Sequence, residues 1–182
     1  MKGIVFTEFL EMVENEFGLK ITDDVITKSN VPSGGVYTSV GTYDHKELVA
    51  MVVQLSAETK VPVPALVRTF GRYLFGRFAK LFPQFFTDVD SAFEFLQNVE
   101  SYIHPQVRKL YPDAELPRFD ASRPAEDEMQ LIYRSSRHFE DLAEGLIEGC
   151  IAHFGETIKI TRASNGSASD PAVTFRLSRM AA

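Results

Sequence analysis

Tyr133, Ser135 and Arg137 stand at alternate positions of the stretch LIYRSSRH. In an extended strand alternate side chains point to one face, so a phenol, a hydroxyl and a guanidinium would line roughly 14 Å of one surface. Ile132, Arg134 and Ser136 would face the other way. A guanidinium offers five N–H donors in a fixed fork, and a donor row that ends in one suits an anion with several oxygens.

The chain has four histidines. His45, in DHKE, falls in the first turn of a predicted helix, and His153 in the last turn of another, where the helix dipole favours an imidazole. His138 lies at a strand-to-helix junction, and all three read as exposed. His104 differs. In FEFLQNVESYIHPQVRKLY, residues Leu96, Val99, Ile103, Val107 and Leu110 form one helical stripe, and His104 sits on its flank near Phe93 and Tyr111. This predicts a partly buried imidazole beside aromatic surface, either a satisfied structural residue or a ligand. Pro105 removes one helical hydrogen bond and disfavours helical geometry at His104, so a bend or a fresh turn is expected there. That bend either aims the imidazole or simply ends a helix.

Enzyme chemistry finds few parts. Ser135 or Ser136 with His138 and Asp141 can be drawn as a triad, but the serines lie on no nucleophile elbow and no glycine turn is near to bind an oxyanion. The chain has no GxxxxGKS loop, no HExxH and no GxGxxG after a strand. A protein that is not an enzyme is the expectation. Fifteen phenylalanines and no tryptophan are the other feature. Phe75, Phe78 and Phe82 share a helix face, with Phe85, Phe86, Phe93 and Phe95 close behind, enough for an ordinary core or for the walls of a large, flat apolar ligand site.

These residues must be placed by the surrounding elements. At 182 residues and 45% hydrophobic, the chain suits one domain spanning 1–182. The formal charge of −6, with basic residues scattered, argues against nucleic acid or an anionic membrane as partner. Cys150 alone excludes internal disulfides and CxxC sites, which points to a reducing compartment. The start, MKGIVFTEFLEM, meets Glu8 and Glu11 before any long apolar run, so neither a signal peptide nor a membrane span is expected, and a cytoplasmic location is.

Val5, Phe9, Met12 and Val13 form the stripe of a first helix that Gly18 stops. SNVPSGGVYT is turn-rich, and Asp44 with Glu47 resembles an N-cap and its return partner before LVAMVVQL. Pro62 and Pro64 lead into VRTFGRYLFGRFAKLF, which Pro83 closes, and a further helix runs from about Asp90 toward Leu110. Beyond Pro112 the texture changes to short strands around Arg118, from Met129 to Ser135, from Thr157 to Arg162 and from Val173 to Leu177. Turn clusters such as SNGSASDP separate them, and one amphipathic helix, from about Phe139 to Phe154, interrupts them. The predicted class is α+β: a helical N-terminal part followed by a small antiparallel sheet with one helix packed on it. No attached output module is visible.

Taken in order, the MKG start, His104, Leu116-Pro117, the Tyr-x-Ser-x-Arg row at Tyr133, Ser135 and Arg137, and GLIEG at Gly145 to Gly149 resemble an H-NOX domain over essentially the whole chain. This is the haem-binding gas-sensor family that includes the NO-sensing part of soluble guanylate cyclase. The resemblance implies a four-stranded antiparallel sheet, one long packed helix, and a non-covalent haem b buried between them and the N-terminal helices. It implies that Tyr133, Ser135 and Arg137 clamp the haem propionates, that His104 is the axial ligand of the iron, and that Pro117 presses on the porphyrin. In oxygen-binding members a tyrosine follows Tyr-x-Ser-x-Arg, supported by polar or indole partners nearer the N-terminus.

The corresponding positions here are Leu142, Phe9 and Leu74, and with Val5, Phe78 and Leu146 they would form a gas pocket without donors. The implied function is a sensor that binds NO and CO at ferrous haem and discriminates against O2. NO would weaken or break the bond to His104, the haem would relax against Pro117, and the N-terminal helices would shift. The signal would pass to a separate effector, a histidine kinase or a cyclic-di-nucleotide enzyme. A passive carrier of haem or another hydrophobic ligand is the alternative. The cysteine-rich zinc site of some relatives cannot form with Cys150 alone.

Overall fold

The computed structural model describes residues 1–165 and 172–180. Among these, the elements run α1 (Gly3–Phe17), α2 (Leu19–Ser29), α3 (His45–Thr59), α4 (Val63–Leu81), α5 (Ala92–Gln97), α6 (His104–Leu110), β1 (Arg118–Ala125), β2 (Glu128–Arg134), α7 (Glu140–His153), β3 (Ile158–Ser164) and β4 (Ala172–Arg179). The strands form one antiparallel sheet in the order β1-β2-β4-β3, so the chain is α+β as expected. The turn expected at SNGSASDP lies, from residue 166 on, outside the described residues.

Local chemistry accounts for most boundaries. Gly18, at φ 83°, ends α1 in a conformation that costs glycine little, and α2, which the apolar spacing did not foresee, starts at the next residue. The Asp44 carboxylate accepts from the Lys46 amide and caps α3. Glu47 does not return the cap: it is buried and accepts from the Ser33 and Tyr37 hydroxyls, which pins the turn-rich segment to α3. The helix expected from Asp90 to Leu110 is three pieces, α5, a π-helical turn at Val99–Ile103, and α6 with Pro105 in its first turn. His104 itself keeps helical geometry, φ −59° and ψ −40°, contrary to expectation. The wider π turn takes up the bend, and in a first turn the missing proline N–H has no helical partner to lose.

Two apolar clusters result. One joins α1, α3 and α4 through Phe6, Phe9, Met12, Met51, Leu55 and Phe70. In the other, Met129, Leu131 and Tyr133 alternate along β2 and pair in register with Leu177, Phe175 and Val173 of β4, and Ala143, Ile147 and Cys150 of α7 cover that face. Helices α4 and α7 fasten the clusters together. A Cβ on Gly145 would lie 2.1 Å from the Arg68 carbonyl oxygen, and one on Gly71 2.5 Å from that of Leu142, so the two backbones touch. Arg68 reaches Glu144 and Glu148 from α4, and Arg72 reaches Glu148.

Candidate functional site

A cavity of about 900 Å³ is lined from both clusters. That is near the upper end for small-molecule sites. One wall comes from the helices fixed by the glycine contact: Val5 of α1, Leu74 and Phe78 of α4, Leu142 and Leu146 of α7. Every residue that these three helices contribute to the lining is apolar. Phe9 is the exception among the predicted gas-pocket residues. It lies one turn deeper along α1, wholly buried and edge-on to Phe70 at 5.3 Å, and does not line the cavity. Of the phenylalanines singled out in the sequence, Phe75, Phe78, Phe82, Phe85, Phe86 and Phe95 line it, as do Phe119 and Phe139. Phe93 does not: it is fully buried in the sheet-side core, with the Arg123 and Arg179 guanidinium groups 5.4 and 4.5 Å from its ring centroid.

The other wall carries the histidine. His104, 8% exposed, lines the cavity with Ile103, Val107, Pro117 and Phe119. Its Nδ1 lies 3.0 Å from Glu100 Oε2, which also accepts from the Phe119 amide at 3.2 Å. Burial holds the imidazole below its usual pKa, and Glu100 opposes that shift without reversing it. The contact is therefore a hydrogen bond from a neutral ring. With Nδ1–H spent on a carboxylate, Nε2 is the ring nitrogen with no protein hydrogen bond among the described residues. Of the other histidines, His138 lines the cavity at its rim, and His45 and His153 do not line it. His138 and His153 are exposed, whereas His45 is half-buried, 6.0 Å from the Phe139 ring, and so less open than expected.

At the rim stand Tyr133, Ser135 and Arg137, all lining the cavity. They are not one strand row. β2 ends at Arg134, where both neighbouring strands also stop pairing, and Ser135 and Arg137 belong to the turn into α7. Ser135 Oγ accepts from the Arg137 amide at 3.2 Å, and the Arg137 guanidinium pairs with Glu115. Burial raises the Tyr133 pKa, so the phenol stays a neutral donor. Lys2 donates to Asp113 at 3.1 Å and to Thr42 at 2.9 Å, which ties the N-terminus to the segment between α6 and β1. The serine triad does not assemble: Asp141 is taken by Arg162 at 2.6 Å, and Ser135 by the turn.

These residues fit a haem. No group of three or more metal-ligating side chains occurs among the described residues, and a haem, which brings its own four ring nitrogens, asks the protein for an axial nitrogen only. His104 Nε2 is such a nitrogen, the walls are apolar, and the rim holds donors for carboxylates. Glu100, Phe119 and Glu115 were not singled out from sequence. The four-residue spacing of Glu100 and His104 was the available signal.

Comparison with known proteins agrees. A family model described as Haem-NO-binding matches residues 2–162. The fold matches the Fe(II) unliganded H-NOX protein from K. algicida at TM-score 0.92 and 36% identity, covering 100% of this chain and 98% of that one. It matches the H-NOX from Shewanella woodyi, solved IWP-051-bound in the Fe(II)CO ligation state, at TM-score 0.85 and 40% identity, covering 99% and 95%. The S. oneidensis H-NOX protein in the Fe(II)NO ligation state gives TM-score 0.91 at 25% identity, covering 100% of both chains. No match was found among curated protein sequences. By fold and by family model together, this chain belongs to the haem-NO-binding, or H-NOX, family of haem-based gas-sensor domains.

Proposed function

We propose that residues 1–182 form one sensor domain that holds haem b through His104, binds NO and CO, discriminates against O2 and signals to a separate effector in the cytoplasm. The observation that carries this is the asymmetry of the cavity: a wall with one oriented imidazole faces a wall from α1, α4 and α7 that offers no hydrogen-bond donor. Ferrous haem, when bound, would supply an iron able to take one protein nitrogen and a diatomic gas. His104 presents Nε2 because Glu100 holds Nδ1. Tyr133, Ser135 and Arg137, which line the rim, would hold the propionates, Arg137 giving up Glu115 to do so, and Pro117 would lie against the porphyrin. Retention of O2 would call for a hydrogen-bond donor in the pocket, whereas NO and CO would need none. Val5, Leu74, Phe78, Leu142 and Leu146 provide no such donor.

Were the imidazole released, α6 and the π turn would be free to move relative to the N-terminal tie that Lys2 makes to Thr42 and Asp113. NO shifts the conformational balance only by its differential affinity for the two arrangements. The S. oneidensis and S. woodyi proteins, solved with NO and CO, support these ligands here. The effector would be a histidine kinase or a cyclic-di-nucleotide enzyme. The reading is tested by loading the protein with haem, reducing it, and following amide exchange in α6 with and without NO. Stoichiometric NO uptake with faster exchange in α6 is expected. Uptake with unchanged exchange throughout the chain would mean a passive haem carrier, and failure to take up haem would overturn the proposal.

A further inference from the structure

We infer that Glu100 is a positioning residue that sets the strength of the axial imidazole and transmits its displacement to the sheet; the inference rests on the haem-sensor reading above. One oxygen, Glu100 Oε2, serves two donors on different elements: His104 Nδ1 at 3.0 Å, at the start of α6, and the Phe119 amide at 3.2 Å, in β1. Glu100 itself lies in the π-helical turn, so a single acceptor joins three segments. Phe119 stands two residues beyond Pro117 and pairs in register with Tyr133 of the rim. Its ring lies 6.1 Å from that of His104 and 5.4 Å from that of Tyr133. The joint therefore sits between the histidine and the rim.

Two consequences follow from that geometry. A carboxylate that accepts from Nδ1–H fixes the ring's tautomer and orientation and raises the basicity of Nε2, which strengthens its bond to a metal. Because the same oxygen holds the Phe119 amide, the imidazole cannot swing away without breaking its own hydrogen bond or drawing Glu100 off β1. The carboxylate has room to follow: it borders a second, polar cleft with Gln97, Ser101 and Asp120, and Arg108 lies 3.7 Å from Oε1. Displacement at His104 thus reaches the strand that begins directly after Pro117.

The test uses the haem-loaded ferrous protein and the variants Glu100→Gln and Glu100→Leu. Gln keeps a neutral acceptor, whereas Leu keeps none. The iron–histidine stretching band should move to lower frequency in Glu100→Gln and further in Glu100→Leu. Ferrous haem transfer to an acceptor apoprotein should accelerate on the order of 10-fold in Glu100→Leu. Exchange of the Phe119 amide should quicken in Glu100→Leu and stay slow in Glu100→Gln, a rescue that simple loss of packing would not give. If Glu100→Leu does not fold, the band position in Glu100→Gln decides alone. A band at the wild-type frequency in the folded variants would overturn the role of Glu100. Absence of any iron–histidine band in the wild type would overturn instead the ligand assignment on which it rests.

Discussion

The two walls of the cavity are built by opposite means. The histidine wall is a set of polar commitments: the Phe119 amide and His104 Nδ1 both donate to Glu100, with Arg108 nearby. Each group is oriented by a partner, so one nitrogen is left aimed and unspent. The opposing wall contains no polar group from α1, α4 or α7, and its precision comes from packing. Helices α4 and α7 touch at Gly71 and Gly145, and this sets how closely Leu74 approaches Leu142 and Leu146. A directed contact needs a hydrogen-bond network behind it. A surface whose role is to offer nothing needs only shape, and small residues supply it.

Removing the imidazole should have the largest effect. In His104→Gly the imidazole proposed as axial ligand is removed, and the absorption spectrum of the reduced, haem-loaded protein should change until free imidazole is added; a spectrum identical to wild type would refute the ligand role. The packed wall is attacked next. In Gly145→Val the added atoms meet the Arg68 carbonyl, where even a Cβ would lie at 2.1 Å, so α4 and α7 must separate. A stability loss of about 1–3 kcal/mol by urea unfolding is expected.

At the rim, Arg137→Gln removes a guanidinium that would face propionates, weakening haem retention by about 2 kcal/mol, with the loss shrinking as salt is raised. Leu142→Tyr places a phenol in the apolar wall and should slow the loss of oxygen from the reduced protein, read as an air-dependent spectral change absent in the wild type. The smallest effect concerns pH. Burial would raise the Glu148 pKa, but Arg68 and Arg72 outweigh it and hold the carboxyl below its ordinary value of 4.5. Its folded pKa is lower than its unfolded one, so its contribution is present above pH 4.5 and is lost as pH falls through the folded value. Thermal melts of Glu148→Gln should show a shallower decline across that range.

Much of this was legible in the chain because the signals are local. The stripe of α1, the prolines bounding α4 and the alternation of Met129, Leu131 and Tyr133 each need only a few neighbouring residues. His104 stood out for the same reason. The extent of β2 was not legible, since a strand ends where its partners end, and Arg118 and Ala172 both stop opposite Arg134. Ser135 and Arg137 reach the rim from a turn in which His138 adopts φ 52°. Glu100 has a visible spacing to His104, but its meaning depends on the Phe119 amide, which only the fold brings to it. Phe9 failed for a related reason: its stripe on α1 is correct, yet the stripe runs past the cavity edge into the N-terminal cluster after Val5.

The most direct measurement of the contrast between the walls is an oxygen equilibrium on the reduced, haem-loaded wild-type protein, followed by absorption as oxygen pressure rises and then falls. The account predicts no reversible, saturable change at any pressure, while the same sample takes up NO completely. Reversible saturation with oxygen would contradict it, because it would require a donor on the wall that Val5, Leu74, Phe78, Leu142 and Leu146 form.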